Sequence, residues 1–409
     1  MEQPAAPTAV DIFGKAGTWA VGKQARVDRA GFYPYFAAIE ENLGTKVIID
    51  GREMIMIGSN NYLGLSWDPR VIEASVAATK RYGTSCSGSR FLNGTFKLHE
   101  ELEEQLARFV GKRAALCFTT GYQTNLGAIS ALAGRQDIVI SDRLNHASLV
   151  DGMLLAGGMN RGTKVVRYGH DDIEDLERVL QNLPEDAGKL LVTDGVFSME
   201  GDIARLPKLG ELARRYGARL YLDEAHAIGV IGPTGRGTQE HWDDYDSADL
   251  VMCTFSKSFG AIGGFVAGEP EVIDFIKHEA RPLIFSASMP PGTIAAVAAA
   301  LRIIEEEPEH ALRLQEIAGR MVDAFKSLGF NVGPSCTAIV PLIIGDDNLT
   351  FLFHRALLEH GVYANPVVSP AVPPNGALIR TSFMAIHSDD ELDRALEVCA
   401  KEARKLGII

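Results

Sequence analysis

Two segments, ARLYLDEAHAIG at residues 218–229 and DLVMCTFSKSFG at residues 249–260, decide the fold. Each opens on a run that is apolar on both faces and ends near a chemically distinctive residue, Asp223 in the first and Lys257 in the second. Similar short runs recur outward from them: AALCF from Ala114, DIVIS from Asp137, KVVRY from Lys164, KLLVT from Lys189 and GGFVA from Gly263. Helix-length stretches such as 176–183 and 208–216 separate most of them. Strands with no polar face, alternating with helices, belong to a mainly parallel sheet covered on both sides. The pattern predicts an α/β domain with a seven-stranded sheet whose ligands gather at the carboxyl ends of the strands.

Beyond Pro290-Pro291 the pattern changes. Helices are expected at 293–306, 311–328 and 349–360 and from Asp389 onward, with strands at AIVPLII and ALIRTSF. This is a smaller C-terminal α+β domain. At the other end, a helical stretch precedes KVIIDGREMIMIG, which reads as a hairpin turning at Asp50-Gly51. The expected division is an N-terminal segment at 1–57, a large domain at 58–290 and a small domain at 291–409.

Composition narrows the function. The chain has 409 residues, 46% of them hydrophobic, and 53 acidic against 40 basic side chains give a formal charge of −13. Nucleic-acid binding needs a clustered basic surface, so a small-molecule substrate fits better. Five scattered cysteines with no CxxC pair read as buried, reduced thiols, with neither a zinc site nor a redox motif. No stretch approaches the roughly 18–20 apolar residues of a membrane span, and MEQPAAPTAV lacks the basic and apolar regions of a leader. A cytoplasmic protein is expected, with peripheral contact at the inner membrane face left open.

The chemistry sits at the strand ends. A buried carboxylate such as Asp223 needs a cationic partner, although it could equally cap a following helix. Lys257 follows the next strand, with Thr254, Ser256 and Ser258 around it and glycines at 260, 263 and 264. A lone lysine in such a loop is usually solvated. A carboxylate ending one strand, a lysine ending the next and hydroxyls beside the lysine together meet three needs of pyridoxal phosphate: ring nitrogen, aldehyde and phosphate. The stretch Thr119 to Asn125 follows the first strand of the domain and opens a helix, where free N–H groups and the dipole suit an anion and Gly121 permits close approach.

His146, after a strand and before a helix, could lie against the pyridine ring. Arg380 in ALIRTSF has a planar fork suited to a carboxylate. The acidic run HWDDYDSAD at 241–249 is read as a solvated loop, and no metal site is expected. Helix 99–110 carries Leu102, Leu106, Phe109 and Val110 at core spacing.

Four long motifs carry a resemblance: DEAHAIGVIGPTGRG, GTSCSGSRFLNGTFKLHEELE, DGVFSMEGD and TFSKSFGAIGG. In these motifs, and in order, the chain from near Tyr33 resembles the α-oxoamine synthase family of pyridoxal-phosphate enzymes. The resemblance implies the aspartate-aminotransferase fold, fold-type I, and a homodimer with shared active sites. It also implies condensation of an amino acid with an acyl thioester and loss of carbon dioxide.

SGSRFLNGTFKLH, YPYF from Tyr33 and NPVVSPAVPP from Asn365 resemble the bacterial branch that joins L-serine to a palmitoyl thioester, giving 3-ketodihydrosphingosine for sphingolipid synthesis. The donor is coenzyme A or acyl carrier protein. Glycine, alanine or another acyl group is the alternative, and a non-catalytic subunit is disfavoured because Lys257 is retained.

By the same resemblance, Lys257 carries the cofactor as a Schiff base and moves the α-proton. Asp223 pairs with the ring nitrogen, His226 meets the phenolic oxygen, and His146 stacks on the ring. Gly121 and Tyr122 bind phosphate with Thr254 and Ser256, while Ser286 reaches the neighbouring subunit's phosphate. Arg380 and His146 orient the substrate carboxylate, with Asn61 and Tyr62 nearby. Some bacterial members have an arginine where this chain has Val368, which puts more of the carboxylate binding on Arg380.

Overall fold

The computed structural model describes residues 11–30, 32–158 and 162–409; the segment MEQPAAPTAV lies outside them. Its large sheet has seven strands in the order Ala114–Phe118, Gly264–Gly268, Leu250–Thr254, Ala218–Asp223, Lys189–Asp194, Ile138–Asp142 and Lys164–Tyr168. Only Gly264–Gly268 runs against its neighbours. Every apolar run expected as a strand in this region is one.

Both faces of the sheet are covered, which explains why its strands lack a polar face. Leu220 and Leu222 pack into one core and Tyr221, between them, into the other. Each such fully buried side chain contributes roughly 1.5–3 kcal/mol relative to exposure. Parallel strands bring their carboxyl ends to one edge, and there Asp194 and Asp223 stand in register.

The last part of the chain forms a three-stranded antiparallel sheet, Ile339–Gly345, Ala377–Ser382 and Asn365–Val367 in that order. Helices Glu309–Leu328, Asp347–Glu359 and Asp389–Lys405 contribute Phe325, Phe353 and Leu392 to its core. The hairpin Lys46–Ile49 and Arg52–Met56 turns at Asp50 and Gly51, whose φ values of 50° and 66° are those of a primed two-residue turn. Its second strand pairs with Val362–Tyr363. Among the described residues no helix is long and apolar enough to cross a membrane.

Several helices begin earlier than expected. The helix expected at 293–306 runs from Pro291, because proline is favoured at the first helical position. The one expected at 208–216 is Leu206–Arg215, again with a proline in its first turn. Ile173–Gln181 replaces 176–183, set by Asp172 capping the N–H of Asp175. The reading of all cysteines as buried also fails at one position. Cys336 is exposed, in the loop before Ile339–Gly345, while the other four are buried and all five are free.

Candidate active site

Helix Gly121–Leu132 starts at the carboxyl edge of the sheet, capped by Thr120, whose hydroxyl accepts from the N–H of Gln123 at 3.1 Å. Among the described residues the first-turn N–H groups of Gly121 and Tyr122 have no backbone acceptor, and both residues line a cavity, an arrangement suited to an anion. A Cβ on Gly121 would lie 2.6 Å from Thr254 Cβ, so only glycine lets the helix start approach this strand. Thr254 Oγ1 and Ser256 Oγ lie 2.9 Å apart beside it. Tyr122 is exposed and its hydroxyl bonds Asp151.

Asp223 sits at the other end of the same cavity, 2% exposed. One oxygen accepts from Asn125 Nδ2 at 2.7 Å and the other from the N–H of Ala225 at 2.9 Å. Asn125 is itself fixed, receiving the Tyr221 hydroxyl at 2.8 Å and donating to Ser148 Oγ at 2.8 Å. Asp223 has no cation within bonding distance in the described chain, and it does not cap a helix. A carboxylate held this deeply calls for a positive partner.

Between the two ends lies Lys257, which lines the cavity with His146, His226 and Asp194 around a volume of about 280 Å³. Desolvation lowers the Lys257 amine to about 8, against the pull of Asp223 and Asp194. His146 caps helix Ala147–Gly157, with Nδ1 2.7 Å from Ser148 Oγ. Its ring is lowered in pKa chiefly by desolvation, with the charge of Lys257 adding and Asp223 opposing.

His226 is held well below the usual imidazole range, first by burial and then by the charges of Lys257 and Arg380. Its Nδ1 is 2.7 Å from the Tyr62 hydroxyl. Burial keeps that phenol protonated. The same hydroxyl lies 3.3 Å from Asn60 Oδ1, and the tautomer of the neutral His226 ring sets which partner donates across the short contact.

Arg380 lies in Ala377–Ser382, 5% exposed. Nε donates to the Ser198 carbonyl at 2.6 Å, Nη1 to Asn60 Oδ1 at 3.0 Å, and Nη2 lies 3.4 Å from Tyr62 Oη. No carboxylate of the described residues neutralises it. Asn61 bonds Ser66 Oγ at 2.8 Å and lines a second cavity, about 470 Å³, that shares Ser256 and Lys257 with the first. Tyr62 is fully buried behind His226 and lines neither cavity. Ser286 Oγ accepts from Gln123 Nε2 at 3.1 Å, beside the helix start of its own chain. Val368 is buried with Phe351 and Ala377 and lines neither cavity at Lys257.

Sequence reasoning did not single out Asp194. Its Oδ2 accepts from the N–H of His146 at 2.7 Å, and its own N–H donates to Asn145 Oδ1 at 3.1 Å, a reciprocal clasp that fixes the histidine's backbone. Burial and neighbouring Asp223 push its carboxyl well above the usual range. The signal was available: Asp194 ends KLLVTD as Asp223 ends ARLYLD.

Size alone would have pointed elsewhere. A cavity of about 580 Å³ lies at the opposite edge of the sheet. Both of its arginines are already paired, Arg113 with Glu269 at 2.7 Å and Arg219 with Asp249 at 2.6 Å. In the acidic run, Asp244 turns to Ser247 Oγ at 2.5 Å, and no group of three metal-ligating side chains forms among the described residues.

The donor set fits pyridoxal phosphate: an anion cradle at one end, a buried carboxylate at the other and a lysine amine between them. Fold and site together define an α/β protein of the aspartate-aminotransferase type, fold-type I. A family model for aminotransferase class I and II matches residues 52–398, and the chain belongs to that family.

Within the family, it is 48% identical to the serine palmitoyltransferase of Sphingobacterium spiritivorum, over 90% of this chain and 91% of that one. It is 41% identical to the 8-amino-7-oxononanoate synthase of Thermoanaerobacter pseudethanolicus, over 95% and 97%. A solved serine palmitoyltransferase carrying pyridoxal phosphate as an internal aldimine superposes with a TM-score of 0.94 at 36% identity, covering 98% of this chain and 100% of that one.

Proposed function

We propose that the chain is a pyridoxal-phosphate-dependent acyltransferase that condenses L-serine with a long-chain acyl thioester, releasing carbon dioxide and the thiol. The observation that carries the chemistry is the enclosed Lys257 amine, between the buried Asp223 and the open helix start at Gly121. Similarity to the serine palmitoyltransferases over nine-tenths of the chain supports the substrates.

Gly121, Tyr122, Thr254 and Ser256 would hold the phosphate, Asp223 would keep the ring nitrogen protonated, and His226 would meet the phenolic oxygen. His146 would lie against the ring. Once bound, the cofactor supplies an electron sink for negative charge at the amino acid's α-carbon. Arg380 binds the serine carboxylate by exchanging its neutral contacts to Asn60 and Tyr62 for a charged pair. Lys257 takes the α-proton at Nζ, for which its lowered pKa suits it, and later returns a proton. A homodimer is the working unit, with Ser286 serving the neighbour's phosphate and Asn61 near the shared site.

The test is direct. Purified protein given pyridoxal phosphate, L-serine and palmitoyl-coenzyme A should yield 3-ketodihydrosphingosine by mass spectrometry, and the Lys257→Ala variant should not. A second reading, supported by the 8-amino-7-oxononanoate synthase relatives, keeps the chemistry with another amino acid and acyl group. Product from alanine but not from serine would favour it.

A further inference from the structure

The second cavity at Lys257 includes Asn365, whose side-chain amide donates to the Gly58 carbonyl at 2.7 Å. From the next residue the chain changes duty. Residues 366–371 line a separate groove of about 470 Å³, with Trp19, Tyr35 and Phe351 among its opposing residues. Tyr35 meets Phe351 edge-on at 6.0 Å. Among the described residues Lys23 is the only charged side chain on the lining, and its ammonium stands 4.0 Å from the Tyr33 ring centroid.

Two links tie this groove to the catalytic side. Asn365 pairs with Arg380 across the small sheet. Met199, on the lining, follows Ser198, whose carbonyl receives Arg380 Nε at 2.6 Å.

We propose that this groove receives the hydrocarbon chain of the acyl thioester and sets the chain length that the enzyme accepts, an inference that rests on the acyltransferase reading above. The lining chooses among occupants. Aromatic and aliphatic walls with one charged side chain suit a saturated chain, whereas a peptide would bring backbone polar groups that find few partners here. The volume lies within the roughly 300–1,000 Å³ of small-ligand clefts. The groove also starts one residue from the cavity that holds the amine, as a thioester placed at Lys257 requires of the site for its acyl tail.

Burial of each methylene strengthens binding about fourfold, so a groove of this kind should read chain length steeply. Ala371 is exposed on the lining, and Ala371→Trp fills space without disturbing a packed core. With the cofactor-loaded enzyme, kcat/KM should rise from octanoyl- to palmitoyl-coenzyme A. In Ala371→Trp the ratio of palmitoyl to octanoyl turnover should fall at least about tenfold. An unchanged ratio overturns the proposal.

Binding is read separately through Trp19, one of three tryptophans. A palmitoyl thioester brominated on its chain should quench Trp19 emission, and Trp19→Phe should remove that component. Absence of Trp19-specific quenching overturns the groove assignment even if product forms. Quenching without any condensation product from serine overturns the acyltransferase reading and leaves the groove as an acyl site.

Discussion

Desolvation lowers the Lys257 amine to about 8, which changes how much nucleophile is present at neutral pH. About a tenth of such an amine is neutral at pH 7, against less than a thousandth for an ordinary lysine near 10.4. The neutral form is the reactive one, so its fraction rises with pH and levels off above about 8. Cofactor-free protein should therefore capture an amine-reactive acylating reagent at Lys257 with a midpoint near pH 8, read by peptide mass spectrometry. A midpoint near that of exposed lysines would show that the site does not desolvate the amine.

The same residue shows what sequence can carry. Asp223, Lys257 and the Gly121 turn were legible because each ends or follows a buried strand, and strand ends converge in a parallel sheet. The bond from Tyr62 to His226 was not, since 164 positions separate the two residues and only the packed fold brings them to 2.7 Å. Arg380 was singled out for its fork, yet its contacts to Ser198 and Asn60 come from segments far away in the chain.

At the scale of elements, strand boundaries followed apolar runs closely, whereas helix starts followed caps and prolines that the periodicity does not contain. One tie between elements makes a stability prediction. His170 bridges Asp142, the last residue of strand Ile138–Asp142, and Asp202 beyond strand Lys189–Asp194, at 3.1 and 3.0 Å. Burial opposes the charged ring, but the two carboxylates outweigh it and raise His170 to about 10.

The folded pKa is thus above the unfolded one, near 6.5. The contribution is fully present below that unfolded value and is lost as pH rises through about 10. Removing the imidazole leaves Asp142, 2% exposed, without its cation. His170→Ala should cost about 3 kcal/mol at neutral pH, a magnitude typical of breaking a buried pair. The melting-temperature gap between parent and variant should narrow markedly at about pH 11. A gap of equal size at both pH values would mean that His170 holds these elements by packing against Phe197, not by charge.

For the whole molecule, the distribution of apolar surface bears on the proposed homodimer. Phe285, Leu92 and Phe91 are 72%, 78% and 53% exposed. Their loops are joined where the N–H of Ser288 donates to the Gly88 carbonyl at 2.9 Å. Ser286, next to Phe285, bonds Gln123 at the anion cradle, so this apolar strip borders the mouth of the site. Large aromatic and aliphatic side chains grouped beside a site mark a surface that another molecule covers.

In a two-fold dimer each contact occurs twice, and burying one such side chain per copy is worth roughly 1.5–3 kcal/mol. Phe285→Asp should therefore raise the dimer dissociation constant by roughly a hundredfold or more, seen as a concentration-dependent shift toward monomer in sedimentation velocity. If Ser286 serves the neighbour's phosphate, the resulting monomer should also release pyridoxal phosphate more readily on gel filtration. A parent protein that sediments as a fully loaded, active monomer would end the shared-site proposal, and a dimeric Phe285→Asp variant with unchanged affinity would remove this strip from the interface.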